Sequence, residues 1–94
     1  MKLEQQDCVA MRRIVAHALE STNCNSLEEV MAQDKAVPSF TSVLLIRFTM
    51  LPIIAVNGIA ENLCDKGFIA RCSEGYVFNQ EGMMKWLDYE KGEL

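Results

Sequence analysis

Apolar residues recur at three- and four-residue steps from the start of the chain: Cys8, Met11, Val15 and then Ala18 or Leu19, while Glu4, Arg12, Arg13 and Glu20 fall between them. That spacing predicts a long amphipathic first helix within residues 1–22. The polar run Ser21-Thr22-Asn23-Cys24-Asn25 interrupts it, and Ser26-Leu27-Glu28-Glu29 has the S-x-x-E spacing of a capping box, which predicts a short second helix from Leu27 to about Asp34. Pro38 closes that element, and Ser39 is a suitable cap for the next. The segment FTSVLLIRFTM, residues 40–50, supports two readings. Its β-branched content favours a strand, whereas Phe40, Val43, Leu44 and Phe48 suit one helix face; a helix is preferred because of the elements that follow.

Leu51-Pro52 makes a tight stop and restart, with proline tolerated in a first helical turn. Over residues 53–66, Val56, Ile59, Ala60 and Leu63 share an inward face and Asn57, Gly58, Glu61, Asn62 and Asp65 an outward one. Gly67 lies where a left-handed helix end is wanted. Phe68 to Arg71 and Tyr76 to Phe78 read as two strands around the turn Ser73-Glu74-Gly75. Asn79 caps a last helix, 80–91, whose apolar face is Met83, Met84, Trp86 and Leu87. The fold class expected is mainly α with a small β-hairpin. The order matches a single winged helix-turn-helix domain over 1–94, with residues 39–66 as the helix-turn-helix and 68–79 as the wing. A second register would read Ser26 to Phe48 as helix, turn through Val37-Pro38, and recognition helix. Only residues 53–66 lead directly into a hairpin, so the first register is preferred.

Thr49-x-Leu51-Pro52 followed by Val56, Leu63, Gly67, Phe68 and Ile69 resembles, without a gap, the turn and recognition helix of bacterial regulators similar to the isocitrate lyase regulator family. Gly75-Tyr76-Val77-Phe78-Asn79-x-x-Gly82 resembles the last wing strand entering the terminal helix in the multiple-antibiotic-resistance regulator family. The resemblance covers residues 39–90 and rests mostly on core and turn positions. It implies that helix 53–66 enters the major groove of double-stranded DNA with the hairpin against the backbone. The contact positions it implies are Ile53, Ile54, Ala55, Asn57, Gly58 and Glu61, and the wider contact face takes in Asn62, Lys66 and, from the wing, Arg71.

Composition complicates that picture. The 94 residues are half apolar and carry 9 Lys and Arg against 13 Asp and Glu, a formal charge of −4, which gives no overall attraction to phosphate or anionic lipid. Between residues 52 and 80, Lys66 and Arg71 face Glu61, Asp65 and Glu74, a balance of −1. Duplex binding at cellular salt requires several phosphate neutralisations. Only Asn57 is a good base reader, through adenine-type hydrogen bonds. A homodimer through the long first or last helix is expected; it would double every contact and could recruit Arg12, Arg13 and Lys35. The function expected first is regulation of transcription or another DNA transaction by DNA contact through Asn57, the 53–62 face and Arg71. Alternatively Ile53 and Ile54 form an exposed patch that binds a protein partner, so that the chain is a small acidic inhibitor or adaptor of phage or mobile-element type. A third possibility makes both isoleucines core residues of the first turn.

Catalysis is not expected. No convergent carboxylates, nucleophile–base pair or phosphate-cradling loop stands out, and no cofactor is implied. Cys8, Cys24, Cys64 and Cys72 lack a C-x-x-C pair, and His17 shares no metal-type spacing with them, so neither zinc nor disulfides are expected. His17 is expected to be half-buried and bonded to backbone, Cys64 a small core residue and Cys72 exposed. The start MKLEQQD lacks a secretion signal's apolar core, and Val43 to Val56 is too short and too interrupted for the ~20 residues of a membrane span, which suggests the cytoplasm.

Overall fold

The computed structural model describes residues 2–92. It is mainly helical with one small antiparallel hairpin. In chain order the elements are α1 (Gln5–Thr22), α2 (Leu27–Ala32), α3 (Ser42–Thr49), α4 (Ile53–Asp65), β1 (Ala70–Cys72), β2 (Gly75–Val77) and α5 (Gln80–Glu90).

Helix α1 packs against α2, α3 and α4. Its buried face is therefore broad, comprising Ala10, Met11, Ile14 and Ala18, with the expected Cys8, Val15 and Leu19 only half-buried at its margin. The Ser26 hydroxyl caps α2 by accepting from Glu29 N–H at 3.2 Å. The Glu29 carboxylate reaches one residue further back than a capping box requires and accepts from Asn25 N–H at 3.0 Å. The helix ends at Ala32, two residues early, and Asp34 then takes a left-handed conformation (φ 51).

The ambiguous segment is divided. Phe40 is extended and exchanges two backbone hydrogen bonds of 2.8 Å with Tyr76, a third rung laid on the hairpin, and α3 begins only after Thr41. Thr41, not Ser39, caps α3, accepting from Leu44 N–H at 3.3 Å, while the Ser39 hydroxyl donates to the Glu74 carboxylate at 3.0 Å. Of the four residues assigned to an inward face, Phe40 is buried outside the helix and Val43 is 60% exposed; Leu45 is the residue α3 buries.

Helix α4 closes as a Schellman turn. Gly67 N–H bonds Cys64 C=O at 3.1 Å and Phe68 N–H bonds Leu63 C=O at 2.9 Å, with Gly67 at φ 83. Phe68 then drops into the core edge-on to Trp86 and Tyr89, with centroids 6.3 and 6.0 Å away. The strands are shorter than expected, because Phe68, Ile69 and Phe78 are core plugs outside the ladder. The pairs are Ala70↔Val77, Arg71↔Tyr76 and Cys72↔Gly75. Gly75 sits at φ 135, and a Cβ there would lie 2.5 Å from the Phe40 carbonyl oxygen, so the third rung requires glycine.

Asn79 caps α5, accepting from Gly82 N–H at 2.9 Å, and Met83 and Trp86 are buried with Leu87 half-buried. Met84, assigned to the same face, is 55% exposed. Among the described residues no single helix is long and apolar enough to cross a membrane; α3 and α4, which would pass together, meet at 108°.

Candidate interaction surface

The α3–α4 junction positions the surface. Met50 ends α3 in a left-handed conformation (φ 60), its N–H donating to Ile46 C=O at 2.7 Å. Leu51 N–H donates to the Thr49 hydroxyl at 3.3 Å, and extended Pro52 starts α4 with no side-chain acceptor to cap it. The turn holds three large apolar side chains in solvent: Met50 is 85% exposed, Ile54 84% and Ile53 47%. The isoleucines are therefore not core residues of the first turn. Val43 adds a fourth exposed apolar side chain from α3. Sequence reasoning singled out Ile53 and Ile54 but missed Met50 and Val43. The available signal was Met50 itself, a large apolar residue directly before the helix break.

The polar half of the predicted face is divided. Asn57 and Gly58 are exposed, as read from the pattern, and Ala55 is half-buried. Glu61 is exposed and pairs with Arg71 of β1 at 3.7 Å, so the hairpin cation already faces a carboxylate. With both groups well solvated, that pair adds little stability. Asn62 does not face outward. It is half-buried, and its amide donates to Asp7 Oδ2 at 2.8 Å. Helix α4 passes the first turn of α1 there, and its Asn62 supplies a donor to a carboxylate that is only 4% exposed. Lys66 is likewise committed, donating to Lys2 C=O at 3.2 Å. Both cations assigned to this face thus have partners within the chain.

Asp7 is the buried polar residue that periodicity missed. Its Oδ2 also accepts from Glu4 N–H at 3.2 Å, and the Glu4-x-x-Asp7 spacing at the helix start was the legible sign. Beside it, Glu4, Gln6, Ile54, Ala55 and Gly58 line a surface recess of about 340 Å³ between α1 and α4. A second recess of about 270 Å³ lies between α2 and the hairpin, floored by Val30, Phe78 and Met83; Lys35 on its rim donates to Thr22 C=O at 2.8 Å.

His17 packs against Phe40 and Phe48, centroids 6.2 and 5.4 Å away, and its Nε2 is buried without the backbone partner expected of it. The four cysteines are free; Cys72 is exposed and Cys64 half-buried. Burial pushes the Cys64 thiol above its ordinary range, Arg71 opposing and Asp65 and Glu61 reinforcing the rise. Cys64 is therefore a weak nucleophile at neutral pH. Among the described residues no group of three His, Cys, Asp or Glu side chains is placed to hold a metal ion. No protein-family model, curated protein or solved structure matches this chain.

Proposed function

We propose that this chain is a non-catalytic winged helix-turn-helix module that binds another protein through the apolar surface at the α3–α4 turn, working as a small acidic adaptor or inhibitor in the cytoplasm. The winged assignment draws on the order of elements, on α4 leading through Gly67 straight into the hairpin, and on the Phe40 rung beside β2. The observation that carries the function is Met50. A side chain 85% exposed at φ 60 suits neither solubility nor backbone conformation, and with Ile53 and Ile54 it leaves three large apolar side chains of one turn in solvent. The four free thiols suit a reducing compartment.

The test is affinity capture from the native cell with nuclease present throughout. A protein partner is expected to survive nuclease and to be lost with Met50→Asp or Ile54→Asp, while the circular dichroism melt of each variant stays that of the parent chain. Recovery of the same partner by both variants ends the proposal.

Duplex-DNA contact by a regulator of transcription is the second reading, favoured by Asn57 standing exposed on α4 just ahead of the hairpin. It requires retardation of duplex at low salt, a steep loss as salt rises, and a shallower slope for Arg71→Ala. No retardation of any duplex at low salt removes it.

A further inference from the structure

Resting on the partner-binding reading above, we infer that the partner presents an acidic amphipathic helix, which lies along the outward ridge of α3 with its apolar side chains on Val43 and Met50 and a carboxylate on Arg47. Val43, Arg47 and Met50, the residue that closes α3, stand at i, i+4 and i+7, the spacing that places side chains on one side of a helix. All three are exposed, Val43 at 60% and Met50 at 85%. Among the described residues the one ion pair is Arg71 with Glu61, so no carboxylate there lies within ion-pair distance of Arg47. The ridge is apolar, cationic and apolar in turn, and the fold makes no use of its cation as an ion-pair partner.

The sign of the partner follows from where this chain keeps its own charges. All 13 Asp and Glu lie outside residues 35–60, although the chain as a whole carries −4. An acid-free stretch in an acidic protein removes like-charge repulsion at the one place where Arg47 can attract a carboxylate, and so steers an acidic partner to α3. The only other cation of the stretch, Lys35, donates to Thr22 C=O at 2.8 Å. One remaining arginine is too few for the phosphates of a duplex. It matches a single carboxylate set between apolar side chains. The occupant is a helix because α3 spends its backbone N–H and C=O groups internally, so an extended segment would find no main-chain partners on the ridge, whereas a helix satisfies its own.

Arg47 also suits α3 itself, since a cation in the last turn faces the negative end of the helix. That role accounts for the charge and leaves the exposure of Val43 and Met50 on either side of it without a reason. A partner carboxylate flanked by apolar side chains accounts for all three.

The experiment is fluorescence anisotropy of the full chain with two synthetic helical peptides of about 18 residues on an alanine background. Both carry leucines at three- and four-residue steps, flanked by glutamates in one and by lysines in the other. The glutamate peptide is expected to bind about tenfold or more tighter than the lysine peptide, with an affinity that falls as salt rises. Val43→Asp and Met50→Asp should each weaken it by about tenfold. Arg47→Glu should reverse the preference, so that the lysine peptide binds tighter, an exchange that loss of structure cannot produce. Circular dichroism melts accompany each variant; should Arg47→Glu unfold the chain, Arg47→Gln is expected to erase the preference in a folded one. Equal affinity for the two peptides, a preference indifferent to Arg47, or no binding of the glutamate peptide at millimolar concentration overturns the inference. Displacement of the glutamate peptide by a random-sequence duplex assigns the ridge to phosphate and overturns it as well. Capture of a native partner that is lost with Met50→Asp but undiminished with Arg47→Glu keeps the partner-binding reading and overturns the acidic helix alone.

Discussion

Two helix ends in this molecule face the same backbone problem and solve it in opposite ways. Helix α4 ends with Gly67 at φ 83, and α3 ends with Met50 at φ 60. At Gly67 every neighbouring group is committed to the fold: Phe68 is fully buried, Leu63 and Cys64 accept the closing hydrogen bonds, and Asn79 caps the next helix. At Met50 the backbone closes equally well, but the side chains of Met50, Ile53 and Ile54 stand in water. The first junction is chosen for folding alone. The second departs from what folding favours, and departures of that kind concentrate where a protein meets something else.

The comparison breaks most visibly at the α4–α5 end. Phe68→Ala removes the ring that fills the space between Trp86 and Tyr89, and should destabilise the chain by about 3 to 5 kcal/mol. Urea unfolding followed by circular dichroism measures this without depending on Trp86 fluorescence, which the substitution itself will change. A loss below about 1 kcal/mol would mean that this aromatic group is not the core it is taken to be. Gly82→Ala comes next. A Cβ at Gly82 would overlap the Phe68 carbonyl oxygen, so α5 must lift away from the loop after α4, and a loss of roughly 2 kcal/mol is expected in the same assay.

The sharpest form of the comparison exchanges the two solutions. Gly67→Ala should destabilise by about 1 kcal/mol, because alanine is strained at φ 83. Met50→Gly should do the reverse and stabilise by about 0.5 to 1 kcal/mol, the relief at φ 60 exceeding the entropy lost on fixing a glycine. Thermal melts of both variants beside the parent chain decide the matter by sign. If Met50→Gly is destabilising, the methionine side chain contributes to the fold, and its exposure is no longer an argument for a partner.

The difference between the two ends also explains what the sequence made legible. Gly67, Asn79 and the helical spacing of Val56, Ile59, Ala60 and Leu63 each obey one local rule, so the turn, the cap and the buried face of α4 were readable from spacing. Phe40 was not, since its extended conformation depends on Tyr76, thirty-six positions away along the chain. Asn62 was placed on the outward side for the same reason: helical periodicity gives an angle around α4 and is silent about where the first turn of α1 crosses it. Ser39 and Thr41 both qualify as caps, and the choice fell to Thr41 because the Phe40 rung holds the preceding chain extended. The polar members of the candidate surface were thus misjudged where tertiary contacts recruit them. Of its apolar members, Ile53 and Ile54 were singled out because they stand where polar contact residues are usual, whereas Met50 and Val43 were not, since nothing in the local pattern sets their side chains apart from a core residue's.

The smallest effect tests the middle of α4. Gly58 lies in the interior of a 13-residue helix with open space around its Cα, and no turn, close approach or positive φ requires glycine there. Gly58→Ala should therefore stabilise the chain by roughly 0.5 to 1 kcal/mol through helix propensity alone. Thermal melts beside the parent chain check the sign. A loss of stability instead would mean that the recess lined by Glu4, Gln6 and Ala55 cannot take a methyl group at Gly58, because helix propensity alone can only favour alanine at an interior position with open space around it.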